Sequence, residues 1–303
     1  MERYGCFSQL IFLKYFITVN CNYFALFEPM VIVIQCPDQV GLVAKISGLL
    51  AEENFNIVSM HEHVDKGEYL FFMRLEVDRQ TDGMQLEKQL YELLPKQSIV
   101  KVNPNPEKKV IVMVTKEYHC LADILIRNHF KTLGASVQCV IGNHTTLEDI
   151  CKRFDIPFYH VAFENSKQGA EQQVLDIVSQ YEHDYIVLAK FMRVLSNDFV
   201  SRFPGKIVNI HHSFLPAFAG ANPYRQAYER GVKLIGATAH FVTDELDEGP
   251  IIAQQIISAD HSHTAADMMR AGKEIETAVL AKALRLVFGD RVFIYKNKTV
   301  VLE

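Results

Sequence analysis

An amide, two imidazoles and a hydroxyl fall within five residues at Asn209-Ile210-His211-His212-Ser213, directly after the apolar run Lys206-Ile207-Val208 and before Phe214-Leu215-Pro216. If residues 206–210 form a strand, Asn209 and His211 lie two apart and share one face. An amide and an imidazole then converge at the carboxyl end of a strand, where open α/β sheets place their ligand clefts. About thirty residues on, Thr238-Ala239-His240 and Thr243-Asp244-Glu245-Leu246-Asp247-Glu248-Gly249-Pro250 follow a second apolar run and end in a carboxylate-rich loop. An amide, an imidazole and a carboxylate on neighbouring strand ends can carry out acyl transfer without a covalent nucleophile. Taken singly, each residue also has a plainer role. Asn209 can bond its own backbone, His211 can be a satisfied core imidazole, and Asp247 can be a turn residue before Gly249.

The elements that must position these groups are set out along a chain of 303 residues, 49% hydrophobic and 22% charged, with a formal net charge of −5. That composition fits a soluble globular protein with a full core. Neither the net charge nor any cluster of Lys and Arg offers a general attraction to nucleic acid or an anionic membrane. The six cysteines (6, 21, 36, 120, 139 and 151) form no Cys-x-x-Cys pair and read as reduced thiols of a cytoplasmic protein. His61-x-His63 shares a strand face without a third ligand, and no metal is expected.

Residues 1–29 are an extension of uncertain structure. Their apolar stretch, Leu10 to Val19, is interrupted by Lys14 and Thr18 and is too short to span a membrane, and no small-residue cleavage site follows it. Met30 is a candidate natural start. From there the pattern is a strand (Met30–Gln35), an amphipathic helix to Glu53, strands at Ile57–Val64 and Tyr69–Val77, a helix at Met84–Leu94 and a strand at Ser98–Val102. This βαββαβ order predicts a ferredoxin-like domain over 30–103. Asn103-Pro104-Asn105-Pro106-Glu107-Lys108-Lys109 reads as a linker.

Residues 108–303 alternate strand and helix, the signature of a doubly wound, mostly parallel sheet. Strands are expected at Val110–Thr115, Val137–Ile141, Phe158–Ala162, Tyr185–Ala189, Lys206–Ile210 and Ile251–Ile257. Thr264 and Asp267 open a long helix to about Phe288, and a hairpin closes the chain.

Two resemblances follow from these motifs. The strand leading into Pro37-Asp38-Gln39-Val40-Gly41-Leu42 at a helix start resembles an ACT domain, which implies a small-molecule effector, often an amino acid, at Asp38, Gly41 and Leu42, and pairing of subunits into a homo-oligomer. Asp38 could cap the helix there, with Gly41 leaving its first-turn amides open. The second domain resembles the folate-dependent formyltransferase fold. That likeness rests on Ala189-Lys190-Phe191-Met192-Arg193-Val194-Leu195, on Asn209 through Pro216, and on His240 through Asp247-Glu248-Gly249-Pro250-Ile251-Ile252 and Gln254. It implies a catalytic trio of Asn209, His211 and Asp247. It also implies folate binding by Phe191, Met192, Arg193, Val194, Leu195, His212, Thr243, Asp244, Glu245 and Leu246, with His240 supporting the Asp247 loop.

The acceptor distinguishes members of that fold. A phosphorylated amine needs an anion cradle where the first strand of the domain meets its helix, yet this chain has Thr115-Lys116-Glu117-Tyr118-His119-Cys120, with no Gly and with a repelling Glu117. With an ACT-like domain added, the whole resembles the formyltetrahydrofolate deformylase family. The resemblance implies hydrolysis of 10-formyltetrahydrofolate to formate and tetrahydrofolate, with no separate cofactor, and formate made available to purine synthesis.

Overall fold

The structure is a computed structural model that describes residues 29–78, 83–103, 107–163, 166–216 and 223–303. The extension expected at residues 1–29 and the linker prolines therefore lie almost wholly outside the described residues. The chain divides into two compact units between residues 106 and 107.

In the first unit, β1 (Met30–Pro37), α1 (Leu42–Glu52), β2 (Ile57–Asp65), β3 (Leu70–Val77), α2 (Gly83–Leu93) and β4 (Ile99–Asn103) form the βαββαβ arrangement. Its sheet is antiparallel, in the order β2-β3-β1-β4. Leu42, Ile46 and Leu50 recur every four residues, and with Leu86 and Leu90 of α2 they bury one helical stripe each against Ile32, Ile34, Phe71, Met73 and Leu75.

Asp38 does not cap α1. The N-cap is Gly41, in the left-handed region at φ 88°, with no side-chain cap bond. The chain reaches the helix through a backbone turn that glycine adopts without steric cost, so the carboxylate three residues earlier is not used. Leu42 is buried in the core, so only its backbone remains for a ligand.

The second unit carries β5 (Lys108–Val114), α3 (His119–His129), β6 (Ala135–Gly142), a 3₁₀ turn with α4 (Glu148–Arg153), β7 (Phe158–His160), α5 (Lys167–Val178) and β8 (Tyr185–Leu188). These are followed by α6 (Asn197–Val200), β9 (Ile207–His211), α7 (Pro223–Arg230), β10 (Leu234–Phe241), β11 (Ile251–Ser258), α8 (Ala265–Phe288) and the hairpin β12 (Val292–Tyr295) and β13 (Lys298–Val301). The seven-stranded sheet runs β11-β10-β9-β8-β5-β6-β7. Strands β5 to β9 are mutually parallel, whereas at one edge β10 pairs antiparallel with both β9 and β11. The short return from β10 to β11 through residues 242–250 leaves no room for a crossover helix, so the two strands pair antiparallel.

The chain reverses direction between β5 and β8, which are sheet neighbours, and that switch point opens a crevice at the strands' carboxyl ends. On one face of the sheet, Val208, Ile210, Ala237 and Ala239 pack against Ile275, Val279, Leu280 and Ala283 of α8. On the other, Ile207 packs with Phe199 and Val200. The Thr264–Asp267 capping box is formed, with Asp267 N–H donating to Thr264 Oγ1 at 3.2 Å and Thr264 N–H donating to Asp267 Oδ2 at 3.1 Å.

Candidate active site

In β9 the alternation of a strand sends Val208 and Ile210 into the core and turns Asn209 and His211 to the opposite face. Directly opposite them on β10 are His240 and Thr238. Side chains of directly paired antiparallel residues meet on one face. Asn209 Nδ2 and His240 Nε2 are accordingly 3.2 Å apart. His240 Nδ1 is 2.9 Å from the Phe241 carbonyl. A carbonyl only accepts, so Nδ1 carries the proton and Nε2 is the acceptor for Asn209. Burial keeps this imidazole neutral by lowering its pKa, against the backbone hydrogen bond and Asp247, which favour the charged form. One N–H of the Asn209 amide is thus held by His240, and the other is left for a ligand.

His211 Nδ1 lies 3.2 Å from Asp247 Oδ1, and Nε2 lies 2.8 Å from Ser213 Oγ. Asp247 is held below the usual carboxylate range chiefly by the His211 hydrogen bond. Burial opposes this, while the electrostatic influence of the neighbouring imidazoles adds to it. The backbone of Asp247 is left-handed, at φ 58°. Such a conformation in a non-glycine residue persists only where the surroundings impose it.

Gly249 supplies part of that imposition. A Cβ there would stand 1.8 Å from the Phe241 carbonyl oxygen and 3.4 Å from His240 Nδ1. Gly249→Ala is expected to push the 242–249 loop off β10 and displace Asp247. With Asp247 as a reacting group, a displacement of about an ångström is expected to lower kcat about 10²-fold in a folded variant. Steady-state kinetics alongside a melting curve would measure it, and an unchanged kcat would show that the loop accommodates the methyl.

Behind His211, Thr238 is fully buried and pins the turn after β9. Its hydroxyl donates to the Ser213 carbonyl at 2.9 Å and accepts from Leu215 N–H at 3.1 Å. Gln254 on β11 donates to Thr238 Oγ1 at 2.9 Å and to the Leu215 carbonyl at 3.1 Å.

All ten residues expected to bind folate line a single cleft of about 390 Å³ together with Asn209, His211 and Asp247. Phe191 and Leu195 are buried, while Met192 and Val194 are more than half exposed. The 191–195 loop is tied at both ends. Met192 N–H donates to Thr115 Oγ1 at 2.8 Å, and Ser196 N–H donates to the buried Glu171 of α5 at 2.7 Å. Arg193 Nε is 3.2 Å from the Asn143 amide oxygen, in the orientation that also lets the amide nitrogen donate to Val114 O and Thr115 Oγ1.

Four side chains that sequence reasoning did not single out form a buried cluster at this end of the sheet. Glu276 of α8 is 1% exposed. It accepts from Tyr224 Oη at 2.6 Å, from His119 Nε2 at 2.8 Å and from Lys190 Nζ at 3.1 Å. Burial would raise its pKa, but the His119 hydrogen bond, the Lys190 ammonium and the Tyr224 hydroxyl override that and bring it to about 2. A carboxylate inside the apolar stripe of α8 was the available signal, since an acid at such a position requires partners. Glu117 in the loop after β5 is paired with Lys273 at 2.7 Å.

His119, Cys120 and Glu276 form the grouping with metal-ligand spacing among the described residues. Both Glu276 oxygens are already occupied, and the Lys190 ammonium stands where a cation would have to approach, so this donor set does not suit a metal.

A formyl transferase family model matches residues 108–284, and an ACT domain model matches residues 30–85. The formyltetrahydrofolate deformylase of Escherichia coli O6:H1 is 50% identical over 268 residues, covering 88% of this chain and 96% of its own. That of Haemophilus influenzae is 47% identical over 276 residues, covering 91% and 99%. The crystal structure of a formyltetrahydrofolate deformylase from Pseudomonas syringae pv. tomato superposes with a TM-score of 0.87 at 38% identity, over 96% of this chain and all of that one.

Proposed function

The chain belongs to the formyltetrahydrofolate deformylase family, and from that premise we propose how its cleft hydrolyses 10-formyltetrahydrofolate to formate and tetrahydrofolate. The observation that carries the reading is the convergence of Asn209, His211 and Asp247 in one cleft, with Asp247 hydrogen-bonded to His211 and the Asn209 amide oriented by His240. The folate ring lies between the 191–195 and 243–246 loops, and the formyl group points to the trio.

Asp247, ionised at neutral pH, takes a proton from the attacking water as the water oxygen bonds to the formyl carbon. The free N–H of Asn209 stabilises the oxyanion, and His211 Nδ1 donates to the carboxylate and holds it in place. The proton passes from Asp247 to N10, the C–N10 bond breaks as the oxyanion collapses, and the formic acid formed loses its remaining proton to solvent. No cofactor enters this scheme.

Formate from this reaction supplies purine synthesis. The ACT unit takes a small effector, such as an amino acid, near Gly41, and its sheet edges join copies of the chain into a homo-oligomer. The four cysteines among the described residues are free and buried, and burial raises the pKa of each thiol, which suits a protein working in the reducing cytoplasm. No helix among the described residues is long and apolar enough to cross a membrane.

The test is incubation of the purified protein with 10-formyltetrahydrofolate alone. Formate and tetrahydrofolate should appear in equal amounts. Formyl transfer that requires an added amine would move the reading to a transferase.

A further inference from the structure

His212 follows the trio's imidazole in sequence, one residue past the end of β9. Its ring still borders the same cleft, with its centroid 5.1 Å from that of His211 and 6.3 Å from that of Tyr224. The groups that could hold it are engaged elsewhere. Tyr224 Oη and Lys190 Nζ both go to Glu276, and Asp247 takes His211. Among the described residues, no hydrogen bond or ion pair involves the His212 side chain.

The half-buried ring is therefore a polar group turned to the cleft without a protein partner, and such groups are satisfied by water or ligand. It is also neutral. Burial first, then the Lys190 ammonium and His211, lower its pKa to about 4, against the weaker pull of Glu276 and Asp247. A neutral imidazole offers one acceptor nitrogen and one donor.

We propose that His212 holds the attacking water, its unprotonated nitrogen accepting a hydrogen bond from the water beside Asp247. The inference deepens the hydrolase reading above and rests on it. The water then has two acceptors, His212 to orient it and Asp247 to take its proton, and its lone pair is left for the formyl carbon.

The experiment uses the full chain and three proteins: wild type, His212→Ala and His212→Asn. Formate release, KM and tetrahydrofolate binding are measured for each, with and without added imidazole. The proposal expects His212→Ala to lose about 10²-fold in kcat, the cost of an unpositioned nucleophile. KM and tetrahydrofolate affinity stay within about two-fold, as for loss of an interaction made only in the transition state. Added imidazole restores part of the rate to His212→Ala, and His212→Asn, which keeps an acceptor oxygen, loses less. If kcat is retained in both variants, or if kcat and tetrahydrofolate binding fall together without imidazole rescue, His212 is not the water ligand. Absence of formate release from the wild type would instead overturn the hydrolase reading beneath it.

Discussion

Asp247→Asn is expected to lower kcat for formate release by about 10³-fold, with KM and melting temperature little changed. Asparagine keeps the shape of the side chain and an oxygen that accepts from His211 Nδ1, at 3.2 Å in the wild type. The loop stays tethered by Gly249 against Phe241, so the folate contacts persist. What is lost is the carboxylate that takes the proton from the attacking water. The wild-type pH profile should agree. His211 holds the Asp247 carboxyl below its ordinary range, so activity persists on the acid side until that depressed pKa is reached and then falls as Asp247 protonates. A kcat for Asp247→Asn within about ten-fold of wild type would remove Asp247 from the proton transfer.

The second large effect is on stability. Glu276→Ala strands the buried Lys190 ammonium, the Tyr224 hydroxyl and His119 without their common acceptor. Removing one partner from a buried ion pair costs about 3–5 kcal/mol, because the remaining charge is left uncompensated. In a unit of this size that corresponds to a melting temperature lower by roughly 10 °C.

The linkage to pH has a definite sign. The folded pKa of Glu276 is about 2 and its ordinary value is 4.5, so the contribution is fully present above 4.5 and is lost as pH falls from there towards about 2. At neutral pH it amounts to about 3 kcal/mol. Denaturant unfolding of wild type between those limits should show this acid-side loss, and Glu276→Gln should show a flatter slope. Equal slopes in the two proteins would mean that the carboxylate is not ionised inside the cluster.

What the chain itself determined are the features that depend on near neighbours. The period of the apolar residues marks β1 to β4 and their two helices. The capping pair Thr264–Asp267 marks where α8 begins. The two-residue spacing of Asn209 and His211 places both on one strand face, since alternation is a property of any strand. The residue types at the ends of β8, β9 and β10 were enough to suggest acyl transfer, whereas water as the acceptor came from the 115–120 loop and the family resemblance.

The tertiary structure alone decided the rest. Gly41, not Asp38, starts α1, because the turn there is left-handed and its hydrogen bonds come from the backbone. The direction of β10 and β11 follows from which edge of the sheet was open to a short return. The tautomer of His240, and with it the orientation of Asn209, depends on a register in which those two residues are directly paired. The cluster on Glu276 joins residues from α3, α7, α8 and the loop after β8, the most distant of them separated by 157 positions. No local pattern encodes such a meeting. A buried acid announces that it needs partners, but only the packing of the helices over the sheet decides which side chains reach it.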